Sequence, residues 1–162
     1  MATLAHRTSI HVEAHYGVGA IVGMVAGVVM AMPAMIYTTV TGFGFWALGS
    51  GISEAFMTIS ASETVGGVAI GLAIHMMLSA GLGVFAAFLA SDVLKDQVEK
   101  GLNLLYVRLG IGAAVWAFNW YVLLPIIDPR FIEIIPHVPA LAFHLMFGWA
   151  LGLYAYYAIK RD

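Results

Sequence analysis

Cysteine is absent from this chain, and charge is nearly so. Without cysteine there is no disulfide framework and no thiolate metal site. Only 10% of the 162 residues are Asp, Glu, Lys or Arg, while 62% are hydrophobic. A soluble domain carries about 25% charged residues, so this composition points to lipid as the solvent. A net charge of −2 gives no basic face and excludes a nucleic-acid role. The start, Met1 to Thr8, is polar, and the first apolar run is too long for a signal-peptide core, so no cleavable signal is expected. No nucleophile–base pair or carboxylate dyad is visible. Gly17-Val18-Gly19-Ala20-Ile21-Val22-Gly23 fits a GxGxxG pattern only superficially. It lies inside a hydrophobic run, follows no strand and has no acidic ribose partner, so it reads as helix packing. No catalytic activity of the chain on its own is expected.

What is present is long apolar runs. A bilayer requires roughly 20 such residues per crossing helix. Four spans are expected, at about 17–41, 66–90, 102–127 and 140–159, giving an all-α integral membrane fold in one transmembrane domain. Gly19, Gly23 and Gly27 recur every four residues, a stripe that lets another helix backbone come close. Pro33 should kink the first span. Phe43, Phe45 and Trp46 open the long connection between spans one and two, as an interfacial aromatic belt would. Ile52 to Ile59 is expected to form a short interfacial helix. Ser91 to Gly101 is a mixed-charge loop of helical character, and Pro125 should end the third span.

The second and fourth spans repeat one another at a shift of 69 positions. Leu72 matches Leu141, Ala73 matches Ala142, His75 matches His144, Met77 matches Met146, and Gly83 matches Gly152. A fainter match aligns Gly27-Val28-Val29 with Gly112-Ala113-Ala114. Two duplicated, parallel-repeat helix hairpins are expected, about 17–90 and 102–159, related by an axis along the membrane normal. The pairs Ser79/Gly83 and Gly148/Gly152 would let spans two and four touch near that axis. Basic residues collect on the cytoplasmic side. Four spans place Arg7, Lys95, Lys100, Arg108, Lys160 and Arg161 on one side and only Arg130 on the other. Both termini are therefore expected in the cytoplasm, with the chain in a plasma or inner membrane.

His75 and His144 then lie at matched depth. Ionisable groups in a membrane interior are rare and face the bundle. Two imidazoles there can hydrogen-bond neighbouring helices, ligate a cofactor such as haem, copper or a divalent metal, or relay protons. Asn119, at a similar level on span three, is their expected hydrogen-bond partner. His11 and His15, four apart, would share one helix face and suit a metal ion. Asp128, Glu133 and His137 share the second outer loop and are further metal candidates, though their spacing fits no known cation loop. Met30, Met32 and Met35 cluster near Pro33, and Met76 and Met77 flank His75 or lie next to it. Thioether with imidazole suits copper(I), while methionine is also a flexible gap filler.

These features predict a non-catalytic accessory subunit of a larger membrane complex of respiratory, photosynthetic or membrane monooxygenase type. Its partners would be membrane lipids and other integral membrane subunits or further copies of itself. Two alternatives stand beside it: a haem- or metal-binding electron-transfer subunit using His75 and His144, and a small transporter or channel.

Overall fold

Runs rich in Ala, Val, Leu, Met and Gly, with at most one charged residue each, become three helices long and apolar enough to cross a membrane: Tyr16–Val40, Val65–Val93 and Leu105–Ile127. The computed structural model describes residues 10–12, 14–99, 103–153 and 159–161. Nearly all of them are helical, and the large side chains left exposed along the spans, such as Ile21, Val28, Ile36, Met77, Phe85 and Phe118, are apolar, as lipid contact requires.

The first helix, α1 (Tyr16–Val40), runs unbroken through Pro33. It stops where Gly42 takes a φ of +90°, a conformation that favours glycine. The amides of Gly42 and Phe43 turn back to the carbonyls of Thr39 and Thr38, closing the helix end. The next long helix, α4 (Val65–Phe88), begins at a Thr64 cap whose hydroxyl accepts from the Gly67 amide at 3.0 Å. It widens into a π-helical turn at Leu89–Val93, and a short helix, α5 (Lys95–Glu99), follows. The third, α6 (Leu104–Phe118), is capped by Asn103, whose side chain accepts from the Leu105 amide at 2.9 Å. It too widens, over Asn119–Leu123, where the Leu124 amide reaches the Asn119 carbonyl five residues back. The helix then continues as α7 (Leu124–Ile127). A proline has no amide and crowds the carbonyl four residues before it, and the wide turn lets the helix carry Pro125 instead of ending there. The last helix, α9 (His137–Ala150), covers the first part of the expected fourth span, of which residues 154–158 lie outside the described residues.

Small residues bring the helices to backbone contact. A Cβ on Gly23 would overlap the Ser79 carbonyl, and one on Gly27 would meet the Ser79 side chain. A Cβ on Gly112 would overlap the His144 carbonyl, and one on Gly148 the Arg108 carbonyl. So α1 seats on α4, and α6 on α9. The two pairs meet mainly through α1 and α9. This differs from the expected touch of spans two and four through Ser79/Gly83 and Gly148/Gly152. Those small residues face the partner helix within each pair, and α1, the most buried span, holds the junction.

The connection between α1 and α4 holds α2 (Ala47–Glu54) and α3 (Ile59–Ser62). The helix expected over Ile52 to Ile59 thus starts five residues earlier and lies against the protein. Gly49 and Gly71 let α2 cross α4 backbone to backbone. A further short helix, α8 (Phe131–Ile134), inserts Phe131 over Gly51 of α2. At the other end of the bundle, Ile10–Val12 pairs antiparallel with Ile159–Arg161. Buried apolar residues form two clusters along the bundle. One includes Val22, Ala26, Ala87 and Phe147; the other includes Ala34, Leu48, Trp120 and Phe131. In the chain order of α1 and α9, the level of Gly27 and His144 falls between them.

Candidate functional site

At that level lies a cavity of about 160 Å³, lined almost wholly by apolar side chains. His75, Asn119 and His144 are the polar residues of its wall. Both histidines are buried, 7% and 5% exposed. Two imidazoles from separate helices, α4 and α9, thus border one space.

Each ring is fixed by a backbone carbonyl. The His75 Nε2 donates to the Gly27 carbonyl at 3.1 Å across the α1–α4 contact. Glycine at position 27 lets α1 come this close, because a Cβ there would collide with the Ser79 side chain, one turn along α4 from His75. The His144 Nδ1 donates to the Ala140 carbonyl at 2.8 Å, one turn back on its own helix. A carbonyl only accepts, so these contacts assign the proton to Nε2 in His75 and to Nδ1 in His144. His75 Nδ1 and His144 Nε2 keep free lone pairs and have no partner among the described residues. Neither belongs to the sealed, unpartnered polar atoms, which are Arg108 Nε, Asp128 Oδ2 and His137 Nδ1, so both border open space.

The expected bond from Asn119 to the histidines is not formed. Backbone carbonyls take that role, and Asn119 lines the cavity where the π-helical turn of the third span begins. Wide turns of this kind recur at functional sites. Trp120, next in the turn, stands edge-on to His144 with ring centroids 5.3 Å apart. Its Nε1 donates to the Ile135 carbonyl at 3.0 Å, which ties the cavity wall to the segment after α8.

Two short helices close the cavity at one end. Leu48, Gly51 and Ile52 of α2 and Phe131 of α8 belong to its wall. Glu54 at the end of α2 pairs with Arg130 at the start of α8, at 2.6 Å. The α1–α4 connection and the α7–α9 connection are thus joined by an ion pair next to the α2 and α8 residues of the cavity wall.

The other candidates are dispersed. His11 lies in the Ile10–Val12 strand and His15 just before α1, so the single helical face expected to carry both is not formed. Asp128 is buried between α7 and α8, Glu133 is exposed on α8, and His137 stacks on Tyr121 at 5.0 Å. Among the described residues, no three His, Cys, Asp or Glu side chains converge as a metal cluster. Of the methionines near Pro33 and His75, Met30 lines the histidine cavity, whereas Met32 and Met77 are exposed. Its position was readable in one respect: Gly27, Met30, Ala31 and Ala34 share one face of α1 by helical spacing.

Two fixed imidazoles with free lone pairs can receive a metal ion or a hydrogen-bond donor. Arranged in this way, each has the carbonyl partner that metal-ligating histidines use to set tautomer and ring direction. Compared with protein-family models, curated proteins and solved structures, the chain has no match.

Proposed function

We propose that this chain is a ligand-holding, non-catalytic subunit of a larger membrane assembly, with His75 and His144 as the receiving groups. The observation that carries this reading is the pair of buried imidazoles on one cavity, with opposite tautomers set by carbonyls and a bare nitrogen on each. A pair serving packing alone would engage its polar atoms with neighbouring helices, since an unmade bond in a low-dielectric interior is costly. Here half of the ring nitrogens are left for something else.

Cavity size narrows the ligand. Engineered apolar cavities of roughly 150 Å³ hold a molecule the size of benzene. A space of about 160 Å³ suits a metal ion or a small molecule better than a haem macrocycle.

The subunit is proposed to cross the membrane four times as two related hairpins, with both ends cytoplasmic. Matching contacts support the duplication. Gly27 meets His75 and Ser79, and Gly112 meets His144 and Gly148. These four contact residues on α4 and α9 correspond at the same shift of 69 positions. Pairing of Ile10–Val12 with Ile159–Arg161 supports an even number of crossings.

The test is gentle detergent extraction, with elemental and small-molecule analysis of what stays bound and identification of companion chains. The expected result is a bound ligand lost in His75→Gln and in His144→Gln, together with companion membrane proteins. A wild-type preparation whose bound content equals that of both variants overturns the site. Recovery of a discrete monomer overturns the subunit role.

A further inference from the structure

We infer that the ligand held between His75 and His144 is a soft monovalent metal ion, copper(I), with the Met30 thioether as third donor. This rests on the reading that the two histidines hold a ligand, and it names that ligand's class.

Charge comes first. No Asp or Glu lines the cavity, and its wall beyond the histidines and Asn119 is apolar. Placing an ion in such surroundings costs desolvation energy. That cost rises with the square of the charge, so a divalent ion without a carboxylate or thiolate to offset it is disfavoured about fourfold more than a monovalent one. Donor type points the same way. Structural zinc sites close a tetrahedron of four ligands, and calcium or magnesium require oxygen. The groups available are two imidazole nitrogens and one thioether sulfur. Thioether selects copper(I), and imidazole accepts copper as well.

The fold supports these roles. Met30 stands about one helical turn after Gly27, whose carbonyl orients His75, so one side of α1 both sets the first imidazole and places Met30 on the cavity wall. His144 comes from α9, the helix through which the second pair meets α1. The three donors thus lie on three helices, and the Glu54–Arg130 pair joins the connections that carry α2 and α8. An ion there would bind α1, α4 and α9 into one unit.

The experiment uses the whole chain in detergent or nanodiscs. Silver(I) serves as a redox-inert probe, copper(I) is titrated anaerobically against a competing chelator, and zinc(II) is the comparison. One silver or copper ion per chain is expected, with nitrogen and sulfur neighbours in X-ray absorption. Met30→Leu, close to isosteric, should keep the fold, remove the sulfur neighbour and weaken binding by about tenfold or more. His75→Gln and His144→Gln should each abolish binding. Zinc(II) binding as tightly as silver(I), or an unchanged sulfur neighbour in Met30→Leu, overturns the soft-metal assignment. If silver(I) and copper(I) fail to bind while the histidine variants still lose another bound molecule, the metal is refuted and the histidine site stands. If the histidine variants lose nothing, both fail.

Discussion

Two glycine pairs, each on one helix and two residues apart, separate backbone contact from helix propensity. On α6, a Cβ added at Gly112 would overlap the His144 carbonyl oxygen and lie 3.0 Å from its carbon and 3.4 Å from the Gly148 amide nitrogen. All three atoms are backbone, so no rotamer change relieves the overlap and the helices must part. Overpacking of this kind costs about 1–3 kcal/mol. Gly110 has no atom within 4 Å of the same added carbon. Gly110→Ala then changes only helix propensity, a gain of up to about 1 kcal/mol. Gly112→Ala gains the same propensity, so that term cancels and it should be less stable than Gly110→Ala by about 1–3 kcal/mol. The pair on α4 repeats the test. Gly83 faces the backbone of Gly19 and Gly23, with the Gly23 Cα 2.6 Å from the added carbon, while Gly81 faces open space. Reversible unfolding in mixed micelles over a range of SDS fractions reads the difference. Equal losses for Gly110→Ala and Gly112→Ala, or for Gly81→Ala and Gly83→Ala, would refute the packing argument.

Three further outcomes follow from single contacts. Thr64→Ala and Asn103→Ala each remove a side-chain cap and should lower stability by about 1 kcal/mol, with Thr64→Ser near wild type; the same unfolding assay checks this. Trp120→Phe keeps an aromatic ring beside His144 but leaves the Ile135 carbonyl without its donor, costing about 1–3 kcal/mol; no loss in that assay would place the bond elsewhere. A double-mutant cycle on Glu54→Gln and Arg130→Gln should give a coupling of ~0.2–1 kcal/mol, because Arg130 is 56% exposed and water screens the pair. A coupling well above that range would mean the clasp is shielded from solvent.

The membrane-crossing helices were legible because lipid solvation leaves its mark on every residue of a span. Close approach was legible too, since Gly19 and Gly23 do face the α4 backbone and Gly27 faces the Ser79 and His75 side chains of the same helix. Partner choice was not. A small residue marks a face and says nothing about what comes to it, so Ser79 and Gly83 fitted α9 on paper and meet α1 in the fold. Capping and wide turns were only half visible. Pro125 announced a local departure from α geometry, but a π-helical turn and a helix end share that signal. For the site, the sequence singled out His75 and His144, and both line one cavity. Their anchors were invisible because a backbone carbonyl has no letter of its own. The strand at Ile10–Val12 was hidden as well, because a three-residue strand is set by its partner at Ile159–Arg161 rather than by local pattern.

The central claim is that two buried imidazoles hold opposite tautomers and offer bare nitrogens to one cavity. Nitrogen-15 NMR of histidine-labelled protein tests it most directly, with His75→Gln and His144→Gln assigning the signals. The account predicts a protonated Nε2 and bare Nδ1 in His75, and a protonated Nδ1 and bare Nε2 in His144. It also predicts that only the two bare nitrogens shift when silver(I) is added. The same tautomer in both rings, or a shift at the carbonyl-bonded nitrogens instead, would contradict it.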